Sequence, residues 1–167
     1  MALKSDRHEL QTDISFFMDE AATRGGVVVH GSTTGSGAAM DQGKAVVTYA
    51  AAPSGKVPVG LLLNDMVDID LTRQHVNWHK DEVARGGKVT LLTQGWVVTN
   101  SIEGAAGAAG GAAYLAHSGN LAASNIGGDD SMEGGHLVVG RFLSGADEDG
   151  YYKVSVNLPN AYTNNNA

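Results

Sequence analysis

The stretch that most constrains this chain is GGKVTLLTQGWVVTN, Gly86 to Asn100. Two runs rich in Val, Leu, Thr and Trp flank the dipeptide Gln94-Gly95, and a Gly-Gly pair precedes the first. β-Branched and aromatic side chains suit a pleated, half-buried surface, and glycine can take the positive φ of a tight turn. The reading is a hairpin: Lys88 to Thr93, a turn at Gln94-Gly95, then Trp96 to Thr99. The rest of the chain repeats the theme, as short strands cut by glycine that pack onto this central pair.

Val27 to His30, Ala45 to Ala50 and Val57 to Leu63 read as strands, with Pro58 placing the start of the third near a sheet edge. Between the first two, GSTTGSGAAMDQGK is a loop rich in Gly and Ser. Asn64 to Leu71 alternates acidic and apolar residues from Asp65 on, as a half-exposed strand does, while Thr72 to Ala84 fits a strand or a short helix. Residues 103 to 113 are a low-complexity loop of Gly and Ala. Tyr114 to Ala116 and Leu121 to Ala123 flank Ser118-Gly119-Asn120 as a small hairpin. His136 to Leu143 and Tyr151 to Leu158 are strands joined by SGADEDG. Regular strand spacing with turns between implies an all-β barrel or sandwich.

The N-terminus reads differently. Residues 1 to 12 are polar and extended, and then Ile14, Phe17, Met18 and Ala21 fall at helical spacing, with Thr12 or Asp13 available as N-cap and Gly25-Gly26 as the stop. Phe16 and Phe17 are two of only three phenylalanines. Residues 1–25 therefore read as an arm with a short amphipathic helix, whose Ile14, Phe16, Phe17 and Met18 dock onto a partner. The competing reading has the same helix closing the protein's own barrel.

At 167 residues the chain is long enough for one domain with a real core. A net charge of −7 without a Lys or Arg cluster disfavours nucleic-acid binding, which needs phosphate neutralisation. Zero cysteines exclude disulfides, Cys-ligated zinc and thiol catalysis. MALKSDRHEL lacks an apolar core, so no signal peptide is expected, and no apolar run has the length of a membrane span.

The motifs that carry chemistry fail one by one. His75 and His79, with Asp81 or Glu82, have metal-ligand spacing, but the zincin pattern needs Glu where Val76 stands. Asn64, Asp65, Asp68 and Asp70, and separately Asp147, Glu148 and Asp149, miss the calcium-loop spacing. Around Gly43-Lys44 the phosphate-loop pattern fails at Ala38 and Ala45. Gly104 to Gly111 has no lysine, and no G-x-S-x-G elbow occurs. No metal, cofactor or catalytic residue is expected.

The ordered series VPVGLLLNDMVDID, GGKVTLLTQGWVVT, AAYLAHSGNLAAS and HLVVGRFLSGADEDGYYKVSVNLP resembles the capsid decoration (cement) proteins of tailed bacteriophages, the lambda-type head decoration family in the broad sense. The steps that carry it are Val59-Gly60, the segment around Gly95, the turn at Gly119-Asn120, and Val139-Gly140 through Gly150 to Pro159. The resemblance covers residues 26–159, leaving the arm 1–25 and a polar tail 160–167 outside it. It implies a small β-barrel of the tulip-like kind, on the outside of a phage head, stapling major capsid protein subunits. It further implies a non-enzymatic homo-oligomer, a homotrimer before a dimer, with no nucleic acid or membrane partner. The rival is a carbohydrate-binding β-sandwich using Trp78 or Trp96 as a stacking platform. Exposure decides between them: a cement protein is expected to hold Trp96 in its core. A third reading, an enzyme with a His75/His79 metal site, is decided by metal content.

Overall fold

The computed structural model describes residues 3–31, 45–63, 69–70, 75–76, 82–104, 107–124 and 137–158. Its strands are β1 (Leu3–Asp13), β2 (Phe17–Met18), β3 (Ala22–Thr23), β4 (Val27–His30), β5 (Val46–Thr48), β6 (Pro58–Leu62) and β7 (Ile69–Asp70). After these come β8 (His75–Val76), β9 (Glu82–Val83), β10 (Leu91–Thr99), β11 (Ala112–Leu115), β12 (Leu121–Ala122), β13 (Val138–Phe142) and β14 (Tyr152–Asn157). A 3-10 turn, His117–Gly119, joins β11 to β12. The all-β class expected from the sequence is the class observed.

The central hairpin is not a hairpin. Leu91 to Thr99 is one unbroken strand that runs straight through Gln94-Gly95. Thr93, Gly95, Val97 and Thr99 are buried, while Gln94, Trp96 and Val98 are half-buried. That period of two passes through the glycine without a phase change, whereas a turn would interrupt the strand there. Gly95 does take a positive φ, 148°, but for another reason. A Cβ at this position would collide with the His8 carbonyl of β1. The glycine lets two backbones approach at a register shift, as at a bulge.

Strand β10 has both edges occupied. β1 pairs antiparallel along one edge from Asp13↔Leu91 to Leu3↔Thr99. The other edge is shared: β6 takes Leu91 and Leu92, and β14 takes Gln94 to Thr99. The sheet forks at this point. One branch continues β14-β13-β11-β12 and the other β6-β4-β5-β2.

Two clusters of buried residues lie on opposite faces of the fork. Val27, Val29, Leu61, Leu63 and Leu92 join Val97, Leu115, Leu121, Phe142, Val154 and Val156 in the larger one. Val28, Leu62 and Leu91, each adjacent in sequence to one of these, belong to the other, with Met18, Val47, Val83 and Val89. Alternate residues of a strand face opposite sides, so the runs VVV and LLL are apolar throughout because both faces are covered. β3 and β9 form a separate two-stranded sheet that contributes Ala22 and Val83 to the smaller cluster.

The N-terminal segment contains no helix over residues 13–24. Asp13, expected as an N-cap, instead accepts hydrogen bonds from the Ser15 backbone N–H and hydroxyl, a local Asx turn that competes with helix. The backbone beyond it is taken up by neighbours. The Phe17 N–H donates to the Ala45 carbonyl at 3.0 Å, Met18 to Gly87 at 2.9 Å and Asp19 to Val47 at 2.9 Å, while the Phe16 carbonyl accepts from Val89 at 3.0 Å. A short isolated helix is marginal in water, and these non-local bonds outweigh it. β1 and β2 thus enter the main sheet, and the segment is part of the folded body: Leu3 lies in the larger cluster and Met18 in the smaller, both fully buried.

The expected barrel is not closed by strand pairing. Among the described residues the end strands β12 and β2 do not pair with each other. The 3-10 turn makes the connection instead. The Ser118 N–H donates to the Ala50 carbonyl at 2.7 Å, and Gly119 packs so tightly on the Tyr49 ring that a Cβ would strike it. The Tyr49 hydroxyl in turn donates to the Thr23 carbonyl and accepts from the Gly26 N–H at 3.3 Å. Desolvation by its surroundings pushes the Tyr49 hydroxyl above its ordinary pKa of 10.0. Replacing Tyr49→Phe leaves two backbone groups without this partner, and we expect a loss of about 1–2 kcal/mol in urea unfolding. Unchanged stability would show that the hydroxyl bonds do not hold the closure.

Candidate functional surface

Among the described residues no three His, Asp or Glu side chains lie together as a metal site. His75 stands on β8 opposite Asp70 of β7, while His79 and Asp81 lie outside the described residues. Asn64, Asp65, Asp68, Trp78 and the segment around Gly43-Lys44 lie outside them as well. No helix among them is long and apolar enough to cross a membrane.

The acidic turn between β13 and β14 is organised by its own backbone. Asp147 Oδ1 accepts from the Asp149 N–H at 3.0 Å and the Tyr151 N–H at 2.8 Å. Its Oδ2 accepts from Lys4 Nζ at 2.6 Å, and the same ammonium lies 4.2 Å from the Tyr151 ring centroid. The turn is therefore a clasp that holds the start of β1, and its carboxylates serve structure.

Glu103 does comparable work on the 3-10 turn. One carboxylate oxygen accepts from the His117 N–H at 2.8 Å, and the other lies 3.0 Å from His117 Nδ1. The next residue, Ser118, holds φ at 55°, unusual for a non-glycine. The carboxylate fixes the turn that carries this conformation and the bond to Ala50.

Trp96 is not in the core. It is half-buried on the outer face of β10, with the His8 ring stacked 6.4 Å away at 24° and Lys153 Nζ 3.4 Å from the indole ring centroid. These neighbours come from β1 and β14, the strands on opposite edges of β10. The expectation fails because alternation along β10 puts Val97 inside and Trp96 outside. The result still speaks against sugar stacking, which needs an open aromatic face: two cationic or aromatic neighbours already occupy this indole. His8 and Lys153 became partners of Trp96 through sheet register, which sequence spacing could not reveal.

The four residues expected to dock on a partner separate by exposure. Ile14 is 51% exposed, Phe16 and Phe17 are half-buried, and Met18 is fully enclosed. Phe16 packs against the smaller cluster and lies 5.8 Å from the His30 ring. Leu10 on β1, which was not singled out, is the most exposed large apolar residue among the described residues, at 70%. This segment exposes apolar side chains, Leu10 and Ile14, near the ion pair of Arg7 and Glu9 on the same strand.

The Lys4–Asp147 clasp gives a pH signature. Its hydrogen bond holds Asp147 below the ordinary 3.8 and Lys4 above the ordinary 10.5. A lowered carboxylate pKa stabilises the fold above its unfolded value, and that gain is lost as pH falls through the folded one. The raised lysine pKa stabilises below 10.5, and its gain is lost as pH rises through the folded value. Both groups are exposed, so salt screens the effect. Asp147→Asn is expected to lower stability near neutral pH at low salt, with the difference from the parent shrinking toward both extremes. Denaturation curves across pH check this, and a pH-independent difference would contradict it.

Residues 8–157 match the model of the family described as "Structural cement protein (E217 gp24/Pam3 gp6)". A search of the curated proteins found no match. The match begins within β1 and ends at the last residue of β14, so it takes in the forked sheet and both of its branches. The chain belongs to the phage structural cement protein family, whose place is the capsid of the virion.

Proposed function

We propose that this protein binds the outside of the phage head and stabilises contacts between neighbouring major capsid protein subunits, without catalysing a reaction. The observation that carries the reading is the family match across 8–157. A net charge of −7 suits the outer surface better than contact with packaged DNA. The carboxylates of Glu103 and Asp147, which would be the raw material of a catalytic site, are engaged in fixing turns.

The capsid contact is assigned to the N-terminal segment, centred on Ile14 with the half-buried Phe16 and Phe17, and extended by Leu10. Met18 anchors this segment from behind, in the smaller cluster. Self-association accompanies the reading, because closed symmetry lets identical copies sit over local axes of a shell. Three copies or two satisfy that requirement.

Deleting the segment cannot test the assignment, since Leu3 and Met18 would leave the core with it. Point substitution can. Burying one large apolar side chain is worth about 1.5–3 kcal/mol, so Ile14→Asp is expected to weaken binding about 10- to 100-fold. Co-sedimentation with heads lacking the protein measures this, with circular dichroism confirming an unchanged fold. Equal binding by variant and parent would contradict the assigned contact. No binding by the parent would contradict the reading as a whole.

A further inference from the structure

We infer that the Asp149-Gly150 peptide is a site of spontaneous isoaspartate formation, and that the Asp147 clasp sets its rate. The inference stands apart from the proposed capsid contact, because it concerns the chemistry of one turn.

Asp149-Gly150 is the single Asp-Gly dipeptide in the chain, and no Asn-Gly occurs. A glycine after aspartate leaves its peptide nitrogen unshielded and its backbone free to bend, so that nitrogen can reach the aspartate side chain. The surroundings permit this. The Asp149 side chain is 72% exposed, and a Cβ built on Gly150 would meet open space. In the first step the Gly150 nitrogen bonds to Asp149 Cγ, and the amide proton leaves with the carboxyl hydroxyl as water. A five-membered imide results, and water reopens it at either carbonyl. Attack at Cγ restores aspartate, while attack at the main-chain carbonyl routes the backbone through Cβ and Cγ. The sequence of steps needs no oxidant, no reductant and no reactant besides water.

The folded turn opposes the first step. The Gly150 N–H donates to the Asp147 carbonyl at 3.0 Å, with the Gly150 φ at 80°. Attack requires this nitrogen to swing toward Asp149 Cγ and give up its proton, so that bond must break first. It belongs to a set. Asp147 Oδ1 accepts from the Asp149 N–H at 3.0 Å and the Tyr151 N–H at 2.8 Å, and the Asp147 N–H donates to the Tyr151 carbonyl at 2.9 Å. Lys4 Nζ, 2.6 Å from Asp147 Oδ2, also lies 3.9 Å from Asp149 Oδ2, so one ammonium tethers both carboxylates. Reaction therefore proceeds from the locally opened turn, whose population these bonds set. The product then weakens the clasp. One extra main-chain methylene between Asp149 and Gly150 shifts the Gly150 and Tyr151 N–H groups away from Asp147, and the start of β1 loses its hold through Lys4.

The test follows isoaspartate at position 149 in the full chain, aged at neutral pH, by peptide mapping and by enzymatic methyl transfer to isoaspartyl carboxylates. The same chain unfolded in urea gives the unbraked rate, and the folded parent is expected to be at least about tenfold slower. Asp147→Ala removes the side-chain bonds of the turn, and an acceleration of about 5- to 30-fold over the folded parent is expected. Lys4→Ala leaves those bonds in place and is expected to accelerate by about two- to fivefold, an effect that added salt reproduces in the parent. Circular dichroism checks that both variants remain folded. Absence of isoaspartate at 149 from the unfolded chain would overturn the site. A folded parent as fast as the unfolded chain, or a Lys4→Ala variant no faster than the parent, would overturn the control by the clasp.

Discussion

The fold depends on β10 having both of its backbone edges satisfied along its length. Every N–H and C=O of a buried strand needs a partner, and here β1 supplies one side while β6 and β14 divide the other. Dividing an edge between two strands forces the sheet to fork, and a forked sheet presents two inner faces. The chain fills both with small aliphatic side chains, which is why a protein with only six per cent aromatic residues still builds two enclosed clusters. Among the described residues the ends of the fork come together through the 3-10 turn on Tyr49, whose place is secured by Gly119 on one side and the Thr23 carbonyl on the other.

Much of this was legible from sequence, and what was not has a physical reason. The strands at Val27–His30 and Pro58–Leu62, the β13–β14 pair and the β11–β12 hairpin all follow from apolar runs bounded by turn residues. Gly95 misled because glycine serves two purposes, turning a chain and admitting a close neighbour. The alternation across it, Thr93-Gly95-Val97 against Gln94-Trp96-Val98, was the available signal for the second. β1 is a strand of charged residues at a sheet edge, invisible to any reading based on hydrophobic period. The helical spacing of Ile14, Phe17 and Met18 was real, but the partners of this segment, Ala45, Val47 and Gly87, lie far along the chain. Among the candidate contact residues, only the packing separates exposed Ile14 from enclosed Met18.

The same architecture bears on function. In the proposed role the protein carries load between lattice neighbours, and a body in which the N-terminal segment is woven through the central sheet transmits force better than a barrel on a loose tether. Met18 hydrogen-bonds Gly87 while Ile14, four residues earlier, faces solvent. Any partner held by Ile14 is thus connected through a few bonds to β10. Asp147, from the acidic turn weighed as a calcium loop, and Glu103 stiffen turns at the edges of this body.

A cryo-electron microscopy map of phage heads carrying this chain tests the central claim most directly. The account predicts density for the forked sheet on the outer surface, spanning the boundary between adjacent major capsid protein subunits, with the segment around Ile14 against the shell. Density on the inner surface, or on one subunit without reaching its neighbour, would contradict it.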